Sequence, residues 1–207
     1  MGELIVLAHH RADRSRPSAR RRGVAFFFDL ACPFSYLASE RVERLLGDVD
    51  WVPTASLHEF DGECSTQAER LAADLRLPLV WPERFPASSP RAIRAAAYAA
   101  QAGRSAQFAL AAGRLAFAGG FDIDDPEILA DAAAAAGLSP AACLAAAADP
   151  AWEAQPAATA AGLARRGVRE LPAFGVGASL HCGWRAIGET AALRHAVALA
   201  KAARDAG

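Results

Sequence analysis

Four consecutive residues, Cys32, Pro33, Phe34 and Ser35, hold the greatest chemical capacity in this sequence. A cysteine followed at once by proline, with a hydroxyl three positions on, suits thiol chemistry at the start of a helix. Proline is tolerated in a first helical turn, where its missing N–H would have had no intrahelical partner, so Pro33 sets Cys32 at or just outside the N-terminus. Unpaired N–H groups and the positive end of the helix dipole favour an anion there. They predict a Cys32 pKa well below the free-thiol value of about 8.5. Ser35 is placed to donate a hydrogen bond to a thiolate, either that of Cys32 or that of a bound thiol. No second cysteine stands beside Cys32, so a mixed disulfide formed on it has no local resolving partner. The plain alternative is an inert Cys32, since free cysteines are commonly small buried hydrophobes.

Two elements must position these residues. Val24 to Leu30 reads VAFFFDL, a short aromatic-rich run whose composition predicts a strand buried on both faces. From Phe34 through Tyr36, Leu37, Leu45 and Leu46, apolar residues recur at helical spacing among Glu40, Arg41, Glu43 and Arg44, and predict a helix. Val49 to Thr54 predicts a second short strand that Pro53 ends or confines to an edge. The close succession predicts a right-handed βαβ unit with parallel pairing.

From 59 to 167 no period-2 run occurs. Helices are expected over 65–75, 90–102, 105–118, 125–136, 139–147 and 151–166, with Asp125-Pro126 and Ser139-Pro140 as cap-then-proline starts. Strand character returns at 172–176 and 179–182 around Gly177-Ala178, a tight hairpin, and a last helix is expected over 189–203. The order is strand, helix, strand, helical block, strand, strand, helix, an α/β arrangement.

The letters also carry a resemblance. A strand running into C-P-x-S at a helix start resembles the active-site turn of the DsbA branch of the thioredoxin superfamily. FFFDLACPFSYLA, LPLVWPERFP from Leu77, RAIRAAAYA from Arg91 and GVRELPAF from Gly167 resemble, in that order, the 2-hydroxychromene-2-carboxylate isomerase family. That family is a glutathione-dependent relative of DsbA and of kappa-class glutathione transferases. The resemblance implies a thioredoxin-like fold with a large all-helical insertion. It implies a thioredoxin-like domain from 24–58 and 168–207, a helical insertion over 59–167, and a flexible extension over 1–23. It further implies that the Leu171-Pro172 bond is cis and faces Cys32, and that the Leu171 backbone pairs with the cysteinyl backbone of glutathione as an added strand would.

Two departures stand out. The Cys32 position is typically serine in the isomerases, where the hydroxyl supports the glutathione thiolate, and the acid of the family's W-G-x-D-R segment has no counterpart in CGWRAIG from Cys182. Arg169-Glu170 also replaces a small apolar pair. The expected site is therefore Cys32, Ser35 and Pro172 for chemistry, with Pro33, Phe34, Leu171, Trp81, Gly183 and Trp184 contacting glutathione or substrate. Cys182 is a candidate to resolve a Cys32 disulfide. His181 could serve as a base, though a lone histidine at a strand end is ordinarily structural.

Composition sets the outer bounds. A chain of 207 residues with 53% hydrophobic content has ample material for a core. A formal net charge of -1 gives no field to attract nucleic acid or anionic membrane. No metal-ligand spacing links the four cysteines. The adjacent pair His9-His10 sits in a basic arm with no secretory pattern, and a cytoplasmic location is expected. Three functions remain open: a glutathione-dependent isomerase or transferase acting on a small molecule, a monothiol disulfide oxidoreductase using Cys32, and a non-catalytic thioredoxin-like binding protein. The resemblance also implies a possible homodimer.

Overall fold

The structure is a computed structural model describing residues 24–205 apart from 58, 59, 87, 184 and 189, with backbone alone for 187, 188, 190–194, 196, 200 and 204. The expectations placed on 1–23, His58 and Trp184 lie outside the described residues.

Strand β1 (Val24–Phe28) is followed by helix α1 (Pro33–Leu46) and strand β2 (Asp50–Pro53). Burial along β1 alternates. Val24, Phe26 and Phe28 are enclosed while Ala25 and Phe27 are half-buried, so only one face is fully covered, not both as the composition suggested. After the helical block come β3 (Ala173–Val176) and β4 (Ser179–Cys182), then α8 (Arg185–Gly188) and α9 (Thr190–Asp205). The sheet order is β2-β1-β3-β4, with β2 parallel to β1 and the other pairs antiparallel. Strand β2 lies at the sheet edge and ends at Pro53, which has no N–H to offer a further partner.

Register builds the core. Phe26 sits opposite Trp51 on one side and Phe174 on the other, with ring centroids 4.9 Å and 5.4 Å away. A fully buried phenylalanine such as Phe26 contributes about 1.5–3 kcal/mol.

The helical block comprises α2 (Gly62–Leu75), α3 (Pro90–Gln101), α4 (Ser105–Phe117), α5 (Pro126–Ala135), α6 (Pro140–Ala148), a 3-10 turn (Pro150–Glu153) and α7 (Ala154–Arg165). Helix α2 starts three residues before the expected point because the Asp61 carboxylate accepts from the Cys64 N–H at 2.8 Å. Alanine is used where helices press together: Ala92, Ala95, Ala96 and Ala99 of α3 are all buried. One continuous core passes through both parts, joining Phe26 and Leu37 to Phe108 and Leu129. Polar ties reinforce it. Tyr36 Oη donates to the Pro78 carbonyl at 3.0 Å, and the Arg114 guanidinium grips the Glu40 carboxylate at 2.6 and 2.8 Å. Among the described residues no helix is long and apolar enough to cross a membrane.

Candidate active site

After Phe28 the chain turns, and the Cys32 N–H donates to the Asp29 carbonyl at 3.1 Å to close that turn. Cys32 is the N-cap of α1, and its Sγ accepts from the Ser35 N–H at 3.4 Å. Pro33 follows in the first turn. On its other side the Cys32 thiol donates to the Leu171 carbonyl at 3.5 Å, and the Leu171-Pro172 peptide is cis. Residues 139 positions apart are thereby brought together at the junction of β1, α1 and β3.

The electrostatic expectation for Cys32 does not hold. Cys32 is 1% exposed, and burial pushes its thiol up from 9.0 to about 12. The Asp29 carboxylate adds to the rise, while hydrogen bonds from the Ser35 hydroxyl, the Ser35 amide and the Phe34 amide pull the other way. A helix N-terminus is worth about 1 kcal/mol or a little more, whereas full desolvation of a thiolate can move a pKa by up to 3–5 units. Desolvation wins. Cys32 is an un-ionised hydrogen-bond donor, not a thiolate.

Asp29, which sequence reasoning passed over, organises the turn. It is buried, its Oδ1 accepts from the Ala31 N–H at 3.0 Å, and its Oδ2 takes the Ser56 hydroxyl. Its own N–H donates to Ser35 Oγ at 3.2 Å. A carboxylate inside an apolar strand-to-helix junction was the available signal, because aspartate is almost never fully buried unless paired.

A cavity of about 610 Å³ opens beside this turn, between it and the helical block. Asp29 and Ala31 form its inner end, Ser56 and Phe60 one wall, and Pro86 and Glu153 the far side. Its volume lies in the range of small-molecule sites. The other expected residues distribute around it unevenly. Phe34 is buried and stacks on Phe60 at 6.2 Å, one ring behind the cavity wall. Trp81 is at the end of an aromatic chain, 4.7 Å from Phe85, with its Nε1–H committed to Glu69 at 2.8 Å, and it does not line the cavity. Pro86 follows a second cis peptide, Phe85-Pro86, that the sequence had not suggested.

On the Pro172 side, the Gly183 N–H donates to the Pro172 carbonyl at 2.9 Å, with Gly183 at φ 84. A Cβ at Gly183 would collide with the Glu170 carboxylate, so that acid rests against the segment following β4. Cys182 sits opposite Ala173 and is a free thiol, as are Cys32, Cys64 and Cys143. His181 is half-buried with Nε2 lacking a hydrogen-bond partner, on the sheet face of Phe174, and His195 is exposed.

A strand-helix-strand unit joined through helices to a hairpin, with a cysteine N-cap facing a cis-prolyl peptide, defines a thioredoxin-like protein. The chain belongs to the DSBA-like thioredoxin domain family, whose model matches residues 23–191. Solved structures share the fold. A 2-hydroxychromene-2-carboxylate isomerase superposes with TM-score 0.70 at 18% identity, over 89% of this chain and 98% of that one. A probable DsbA oxidoreductase from Streptomyces coelicolor gives TM-score 0.70 at 24% identity, over 86% and 89%. The cytosolic disulfide reductase DsbM from Pseudomonas aeruginosa, in a structure with GSH, gives 0.60 at 19%, over 83% and 95%. No curated protein matches the chain.

Proposed function

We propose that this protein is a glutathione-dependent isomerase or transferase in which Cys32 acts as a hydrogen-bond donor to the glutathione sulfur and not as a nucleophile. The observation that carries this reading is the enclosed thiol donating to the Leu171 carbonyl. That bond holds the place of the tripeptide. When glutathione enters, its cysteinyl N–H takes over the Leu171 carbonyl and the Cys32 S–H turns to the glutathione sulfur, as the serine hydroxyl does in the family it resembles. Cys32 and Leu171 are both buried, so entry requires the cover over them to open. Ser35, fixed through Asp29, supplies a second donor nearby. Glu170, against Gly183, offers a carboxylate to the amino end of the tripeptide in the segment whose own acid is missing. Four free thiols suit a reducing, cytoplasmic setting in which glutathione is abundant.

The chemistry balances without any oxidant. Glutathione gives up its proton to solvent, and its thiolate adds to the electron-poor carbon of a C=C bond conjugated to a carbonyl. A C–S bond forms and the π electrons move to the carbonyl oxygen. Rotation about the resulting single bond, then re-formation of C=C with expulsion of the thiolate, returns glutathione unchanged. Retention of the C–S bond with protonation at carbon gives the transferase outcome. The cavity beside Asp29 and Ala31 receives this second substrate.

The test is the Cys32→Ser and Cys32→Ala pair in a glutathione-dependent assay on aromatic enones. Serine keeps a donor, so activity should stay within about a fewfold of the parent. Alanine removes it, and a loss of about 10²-fold, the scale of one oxyanion-hole donor, is expected. Equal loss in both variants, with disulfide exchange by the parent, would instead assign Cys32 as the nucleophile of a monothiol oxidoreductase.

A further inference from the structure

The cavity next to the Cys32 turn is charged in one sense. Among the described residues, Asp29 and Glu153 are the charged side chains on its wall. Asp29 is fixed at the inner end by Ala31 and Ser56. Glu153 is joined by the Arg94 Nε and Nη2 at 2.8 and 2.6 Å, and the same guanidinium uses Nη1 on the Ala147 carbonyl at 3.2 Å. That cation is committed and is not on the wall.

A helix N-terminus at the rim could receive an anion without any cation, and α3 begins there with Ser89 and Pro90. Its first amides are already taken: the Arg91 and Ala92 N–H groups donate to Asp124 Oδ1 at 2.7 and 3.0 Å, from outside the cavity. The turn that carries Glu153 is filled in the same way, its Ala151 N–H donating to Asp149 at 2.9 Å. What the wall offers is apolar surface from Phe60 and Ile93 and hydroxyls from Ser88 and Ser89, the latter making no bond to its own helix.

We propose that this cavity selects an uncharged aromatic carbonyl compound over its carboxylate counterpart, and that Asp29 is the residue setting the preference. The proposal rests on the cavity being the second-substrate pocket of the glutathione-dependent reaction. A carboxylate entering would meet Asp29 with no cation or free helix terminus to offset it. For charges about 6 Å apart at an effective dielectric of about 20, the repulsion is on the order of a hundredfold in affinity, and water at the open side reduces this toward tenfold.

The experiment is calorimetric titration of the full chain with trans-cinnamamide and trans-cinnamate, equal in size and shape and different in charge. The parent should bind the amide at least about tenfold more tightly. Asp29→Asn should bring cinnamate to within a fewfold of the amide. Asp124→Ala, which frees the α3 amides and leaves the turn at Cys32 untouched, should also strengthen cinnamate, and it serves as the second probe if Asp29→Asn fails to fold. Cinnamate binding as tight as the amide, no binding of either, or no response in the variants would overturn the proposal. Because binding is read without turnover, a protein that keeps the amide preference but lacks glutathione chemistry fails only the functional reading. One that turns over enones yet binds cinnamate equally fails only this inference.

Discussion

At the scale of single residues, two opposing effects act on one sulfur. The start of α1 offers Cys32 an amide from Ser35, and a thiolate there would be favoured if water could reach it. Enclosure between α1 and β3 reverses the outcome, and the thiol stays protonated. The shift carries a consequence for stability. The folded-state pKa is raised above the free value, so the neutral thiol contributes stability that is fully present below about 9 and is lost as pH rises towards about 12. Denaturant melts of the parent should therefore weaken more steeply across that interval than those of Cys32→Ser, which cannot ionise. Parallel slopes would show that Cys32 is not held neutral by the fold.

Among elements, what governs the site is which helix ends are filled and by whom. Asp124, on the loop before α5, caps α3 across more than thirty residues of sequence through two amides. Replacing it by alanine should cost about 1–2 kcal/mol in urea unfolding; an unchanged midpoint would mean that water replaces the carboxylate without loss. This tie also marks the limit of sequence reading. The cap-then-proline starts at Asp125 and Ser139, the hairpin at Gly177-Ala178 and the edge position of β2 were legible, because each depends on residues adjacent in the chain. So was the Cys32-Pro33 helix start. The Cys32 protonation state was not, because it depends on burial by residues 139 positions away. Nor was the cavity wall: Phe60 and Glu153 come from loops whose letters carry no period, and Trp81 was favoured over them on size alone.

Across the molecule, the helical block and the sheet share one core, so the cavity between them exists only while both are folded. The contacts joining them include Tyr36 to Pro78, Arg114 to Glu40, and the Ser105 hydroxyl to the Trp51 carbonyl at 2.9 Å. Thermal unfolding followed by tryptophan fluorescence, which reports Trp51 in the sheet along with the block, and by far-ultraviolet circular dichroism, dominated by the helices, should give coincident transitions. A helical signal melting apart from the fluorescence would show that the block folds as a separate unit.

The account turns on the ionisation of Cys32, and the thiolate's ultraviolet absorbance reads it directly. The difference spectrum between the parent and Cys32→Ser, followed against pH, isolates this sulfur from Cys64, Cys143 and Cys182. A protonated donor predicts no thiolate step from Cys32 below about pH 10. A step centred at or below neutrality would show a thiolate in the folded protein, and would make Cys32 the nucleophile that this structure says it is not.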